Sequence, residues 1–124
     1  MDEQTRNALI NDAVVDITTM GRRSGQQRRI EIWAHYQDDK VYITGRPGRR
    51  GWYANLLTSP DFTLHIKQSF QRDIPAKATP VTGNTQRRAV FNAMMESLPR
   101  LQNLRANFDL WLKDSPLVEV EIPA

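Results

Sequence analysis

Between Gln26 and Tyr36 the chain alternates residue by residue. Ile30, Ile32, Ala34 and Tyr36 fall on one side of an extended backbone, and Arg29, Glu31, Trp33 and His35 on the other. A period of two belongs to a strand with one buried face. The alternation returns in "DFTLHIK", where Phe62, Leu64 and Ile66 share a face, and in "PLVEVEIP", where Val118, Val120 and Ile122 stand against Glu119 and Glu121. The β-branched runs "VVDITTM" (14–20) and "VYITG" (41–45) add two strands. "QRDIPAKATPV" (71–81) adds another, weakened by its prolines and so placed at an edge. "QDDK" turns one strand back on the next as an antiparallel hairpin. Strands this short leave many edge groups unpaired unless the sheet closes on itself. The expected fold class is therefore α+β, mainly β with helices, built on a closed or half-closed antiparallel barrel.

Helical spacing occupies the remainder. Residues 3–12 predict a short helix, and "WYANLLTSP" predicts another that Pro60 halts. Ala89, Val90, Ala93, Met94 and Leu98 fall on one helical face behind an N-cap at Asn84 or Thr85, and Leu101, Leu104, Phe108 and Trp111 continue as a second helix. At 124 residues the chain reads as one domain. Its parts are an N-terminal helical segment (1–13), barrel strands (14–83 and 116–124) with a helix at 52–59, and a helical segment at 84–113. "MDEQTRNALINDAVVDITT" is polar and acidic, without an apolar export or membrane-spanning run, so a cytoplasmic protein is expected.

Charge is unevenly placed. Net charge is only +3, yet Arg22, Arg23, Arg28 and Arg29 flank the Ser24-Gly25 turn, and Arg46, Arg49 and Arg50 crowd the next basic turn, "GRPGRRGW". Guanidinium groups suit bidentate recognition of phosphate and carboxylate. Like charges repel, so two such turns side by side imply either a solvated rim or an anion between them. Gly45, Gly48 and Gly51 let backbone approach a ligand, and a helix starting near Trp52 points its first N–H groups at an anion.

Other chemistries find little support. With no cysteine there is no disulfide, thiolate metal site or thiol nucleophile. His35 and His65 lie on non-core faces of their strands without further ligands at metal spacing, so no metal is expected. No serine sits in a GxSxG context, and Asp38-Asp39 is turn chemistry. Read from the residues alone, Trp52, Tyr53, Phe108 and Trp111 fit a core better than a pocket wall.

"DITTMGRRSGQQRR" followed by "VYITGRPGRRGWYANLLTSPDFTLHIK" resembles the deazaflavin-dependent nitroreductase family, split β-barrel oxidoreductases that use coenzyme F420, an 8-hydroxy-5-deazaflavin. The match spans residues 14–68; beyond it only the order of elements agrees. The resemblance implies a groove holding the deazaflavin ring, with its phosphate and glutamate tail across the basic turns. Carried over by position, Arg23, Ser24, Gly25, Gln26 and Arg28 hold the tail, while Ile43, Thr44, Gly45 and Arg46 line the ring through backbone groups, with Arg46 near the tail. Trp52 and Asn55 shape the pocket, and Phe108 and Trp111 wall the substrate side. Departures are Gln27 at a common proline, Glu31 near another, Gly45 in place of a serine, and no tyrosines in "LPRLQNLRANFDLW" on the substrate side.

The implied activity is hydride transfer from C5 of the reduced cofactor to a small electrophile such as a quinone, enone or nitroarene. A proton then comes from solvent or from the hydroxyl of Tyr53 or Thr44. Such chemistry needs orientation and a water-poor pocket rather than a side-chain nucleophile. FMN is the alternative cofactor, although its single phosphate needs fewer arginines. A non-enzymatic lipid or nucleic-acid binder is the third reading. Nucleic acid is not expected, because the arginines sit at turns without the interleaved aromatics of single-strand binders. The basic face also allows contact with a membrane surface, and the oligomeric state stays open between monomer and dimer.

Overall fold

The computed structural model describes residues 1–123. Its hairpin is built at Asp38 and Asp39, both at positive φ (51° and 63°), the backbone a two-residue turn needs to match strand twist. That turn joins β2 (Gln27–Gln37) to β3 (Lys40–Thr44). Before it, β1 (Val14–Met20) pairs antiparallel with β2 from Val14↔Trp33 to Met20↔Gln27. β4 (Asp61–Ile66), β5 (Arg72–Pro80) and β6 (Leu117–Glu121) complete a closed barrel in the order β1-β2-β3-β6-β5-β4. Closure comes from β4 returning to β1, with Ile17 opposite Leu64.

The inward residues meet as the alternation requires. Val15, Ile17, Ala34, Ile43, Leu64 and Val118 form one buried cluster. α1 (Glu3–Asn11), N-capped by Asp2 accepting from the Thr5 N–H at 2.7 Å, contributes Ala8 and Leu9 to it. α2 (Gly51–Thr58) contributes Trp52 and Leu56. A second cluster lies on the other face of β3 and β6. Outward-facing Tyr42 and Leu117 pack there with Phe91 and Met94 of α3 (Asn84–Ser97), Leu104 of α4 (Gln102–Ala106) and Trp111 of α5 (Phe108–Asp114).

Arg87 ties this helical layer down. It is buried, and its guanidinium donates to the carbonyls of Val81, Trp111, Leu112 and Ser115 at 2.6–3.1 Å. Four carbonyl acceptors satisfy a charge that would otherwise be costly to bury.

Several expectations change. β5 is not an edge strand, because it pairs with both β4 and β6. Its prolines are tolerated because the two ladders are staggered. β6 reaches only Lys77–Pro80, leaving Pro75 with one neighbouring strand, and the β4 ladder ends at Lys77, short of Pro80. α3 is capped by Gly83 rather than Asn84 or Thr85. The second helix is two, broken at Asn107, whose backbone (φ −132°, ψ 39°) is non-helical. His35 and His65 lie on outer strand faces yet are buried. Arg100 covers the first, and Thr18 and Asp73 flank the second at 2.7 and 2.6 Å.

Candidate active site

β2 outruns its second partner. It pairs with β1 over 27–33 but with β3 only over 34–37. Along 27–33 the flank turned away from β1 therefore carries no strand. The chain leaves β3 at Thr44 and runs through 45–50 into α2 on the far side of the gap. The resulting groove has two compartments that share Ile30 and Trp52.

The first compartment, ≈ 470 Å³, is basic, lined by Arg22, Arg23, Ser24 and Arg28 from the β1–β2 hairpin. Register explains Arg28: it lies opposite Thr19, on the inward face, past the end of the filled core. Its neighbour Arg29 faces outward and pairs with Asp16 at 3.0 Å. Across the compartment stand Gly51 and Trp52, the first two residues of α2. Arg50, at the N-cap, gives no side-chain capping bond, so the first N–H groups of the helix are open to an anion.

The second compartment, ≈ 750 Å³, runs along Ile30, Ile32 and Trp33 of β2 toward Thr44, Arg46 and Trp111. Arg50 and Arg100 also reach it. Arg100 Nη2 donates to His35 Nδ1 at 2.9 Å, and its guanidinium carbon lies 5.9 Å from the centre of the Trp33 ring. Burial, aided by the Arg100 charge, lowers the His35 pKa from 6.5 to about 3. The imidazole is thus neutral, with its proton on Nε2.

Among the described residues, none of Arg22, Arg23, Arg28, Arg46, Arg50 and Arg100 has a carboxylate within ion-pair distance. Glu31 borders the groove but is taken by Lys67, which also holds Asp16 at 2.7 Å. That pairing lowers the pKa of Asp16 and raises that of Lys67. The groove's positive charge is left uncompensated, whereas the outer face of the same strands is neutralised.

The expected site residues divide. Arg23, Ser24, Arg28, Trp52 and Asn55 line the basic compartment, and Thr44, Gly45, Arg46 and Trp111 the larger one. Gly25 and Gln26 stand outside both, exposed at the hairpin tip, where Gly25 supplies a positive φ of 71°. Ile43 is wholly buried in the barrel, its backbone in register between Ala34 and Val118, so it does not line the ring site. Phe108 packs in the helical cluster beneath Arg88. Tyr53 points to a separate cavity beside Arg49 and Arg87, and Thr44 spends its hydroxyl on the Pro116 carbonyl at 2.6 Å. Neither hydroxyl is placed to deliver a proton into the groove. Asn55 uses its amide on the protein itself, accepting from Arg22 and donating to Thr19 Oγ1 at 3.2 Å.

Arg22 and Arg50 were named from the sequence only as members of the basic turns and His35 only as an unsupported metal ligand, while Arg100 was not singled out. Arg22 was one arginine among several. Arg100 carries no motif at all: it reaches the groove only through the fold of the 98–104 segment.

The groove suits a long anionic ligand with an apolar head: guanidiniums and open helix N–H groups at one end, an indole and aliphatic floor at the other. Comparison with known proteins gives the same direction. A solved F420-H2 dependent reductase is 21% identical, with 89% of this chain and 95% of that one covered and a TM-score of 0.64. A structure described as a domain-swapped dimer is 20% identical over 96% of this chain and 95% of that one, with a TM-score of 0.62. HutZ, the heme storage protein from Vibrio cholerae, is 12% identical over 99% of this chain and 90% of that one, with a TM-score of 0.69. At these identities the likeness shows a shared split-barrel fold. No curated protein is significantly similar in sequence. No helix among the described residues is long and apolar enough to cross a membrane. The model of one family, F420H(2)-dependent quinone reductase, matches residues 4–110, and with the matching fold this chain belongs to that family of F420-dependent reductases.

Proposed function

We propose that this F420-dependent reductase binds its cofactor with the anionic tail in the basic compartment and the deazaflavin against Trp52 and Ile30, and reduces a small conjugated electrophile such as a quinone. The single observation that carries this reading is the run of unpaired arginines facing the first turn of α2, leading into an apolar compartment. Arg22, Arg23 and Arg28 would hold phosphate and carboxylates by charge-assisted hydrogen bonds, and Arg46 and Arg50 would border the junction. The bound cofactor supplies the hydride.

The chain's own residues orient and exclude. Trp52 and Ile30 offer a flat apolar surface, and Trp111 with Leu104 closes the far wall against water. A desolvated pocket strengthens each charge interaction within it. With Thr44 and Tyr53 turned elsewhere, solvent at the open groove is the proton source. FMN is disfavoured as cofactor because one phosphate would leave most of these guanidiniums unpaired.

The test is anaerobic oxidation of reduced F420 by 2-methyl-1,4-naphthoquinone, followed at the deazaflavin absorbance. Turnover with F420 and none with reduced FMN supports the reading; the reverse preference overturns it.

A further inference from the structure

The larger compartment contains a cation that the cofactor tail does not explain. Arg100 lies at the helical wall, next to Leu101, Gln102 and Asn103, whereas Arg22, Arg23 and Arg28 line the other compartment and Arg46 and Arg50 enter this one from the 45–50 loop beside Trp52. No carboxylate pairs with it among the described residues. Its position is nonetheless fixed: Nη2 donates to the buried His35, and the guanidinium is held over the Trp33 ring. A neutral imidazole accepts a hydrogen bond without cancelling charge, and an indole face attracts a cation without neutralising it. Both partners orient the guanidinium and leave its full positive charge toward the cavity. Two neighbouring polar groups are already committed. Asn103 Oδ1 accepts from Trp111 Nε1 at 2.8 Å, and Glu31 pairs with Lys67.

We propose that Arg100, aimed by His35 and Trp33, is the residue that holds the substrate's accepting oxygen and stabilises the negative charge placed there on reduction. This rests on the hydride-transfer reading above and deepens it. When hydride adds to a quinone or conjugated carbonyl, the electron pair displaced from the π system ends on an oxygen. A proton from solvent on that oxygen then gives the enol, which for a quinone becomes the hydroquinone when the carbon that took hydride loses a proton and the second carbonyl oxygen gains one, while the cofactor leaves oxidised. A fixed guanidinium at that oxygen lowers the barrier, because the interaction is stronger with the oxyanion than with the neutral carbonyl. The class of substrate is therefore an electrophile with an oxygen conjugated to the carbon that takes hydride, rather than an isolated alkene.

The experiment compares two probes on the protein saturated with oxidised F420, by isothermal titration calorimetry. 2-Hydroxy-1,4-naphthoquinone is ionised at neutral pH and carries the charge of the reduced product; 2-methyl-1,4-naphthoquinone is its neutral near-isostere. Arg100→Gln is expected to weaken the anionic probe by about tenfold or more, as for loss of a charge-assisted hydrogen bond. The neutral probe should change by less than about threefold, F420 affinity should stay as in the parent, and Arg100→Lys should recover part of the loss. In turnover with the neutral quinone, kcat should fall while KM holds. Equal loss of both probes, no loss of the anionic one, or weakened F420 binding in Arg100→Gln overturns the proposal. Failure of the parent to bind F420 instead removes the cofactor reading beneath it, and is seen before either probe is added.

Discussion

The side-chain oxygen of Asn55 accepts two hydrogen bonds from Arg22, one from its backbone N–H and one from Nη1, both at 3.1 Å. One buried amide on α2 thus fixes the hairpin turn that carries the basic compartment. Asn55→Ala leaves Arg22 and Thr19 without these partners. Stability should fall by about 1–3 kcal/mol in chemical denaturation. Amide exchange across residues 21–26 should quicken selectively, and unchanged protection there would show that the turn holds its shape alone.

The hairpin arginines are not equivalent. Arg23 and Arg28 face the groove, whereas Arg29 faces outward to Asp16. Arg23→Ala and Arg28→Ala should each cost about 1–3 kcal/mol of F420 affinity. Arg29→Ala should leave it near the parent value. Calorimetric titration separates these, and equal losses in all three would mean that only the general field matters.

Gly51 begins α2 at the mouth of the basic compartment, and a Cβ built there meets no atom within 4 Å. The space is open in the protein alone. Gly51→Leu should therefore leave stability within about 0.5 kcal/mol, as for an unhindered surface change. It should nevertheless weaken F420 by about tenfold through crowding of the ligand. Unaltered binding would place the tail elsewhere.

How much of this was legible in the sequence depends on range. Alternation at Ile32, Ala34, Leu64 and Val118 placed the strands within a residue or two, because period two is a local property. The turn at Asp38-Asp39 was likewise local. Closure through Ile17 and Leu64 makes β5 interior, and the stagger that accommodates Pro75 and Pro80 exists only once the barrel has formed. In the site, residue type flagged the two basic turns, and neighbouring strand register sorts Arg28 inward from Arg29 outward. Ile43, Tyr53 and Phe108 were misplaced because an apolar or aromatic residue beside a motif has no signature separating core from pocket wall. Arg100 and His35 meet across 65 positions in sequence, which no periodicity can announce.

His35 gives a pH dependence with a definite sign. Its pKa falls from 6.5 to about 3 on folding, through burial first and Arg100 second. The unfolded chain then binds the extra proton between those values. This contribution to stability is fully present above pH 6.5 and is lost as pH falls toward 3. The slope approaches at most about 1.4 kcal/mol per pH unit. Denaturation between pH 4.5 and 7.5 should show His35→Gln with a shallower profile than the parent, and parallel profiles would mean that the histidine is not buried neutral.

The central claim is that the arginines of the first basic turn, facing the start of α2, grip a charged tail. The most direct measurement is the affinity of F420 beside that of the same deazaflavin lacking its phosphate and glutamates, titrated at low and high salt. The account predicts that removing the tail weakens binding by about a hundredfold, as for two or more charge-assisted contacts. It also predicts that the salt sensitivity of F420 binding disappears with the tail. Equal affinity of the two ligands, at either salt concentration, would contradict it.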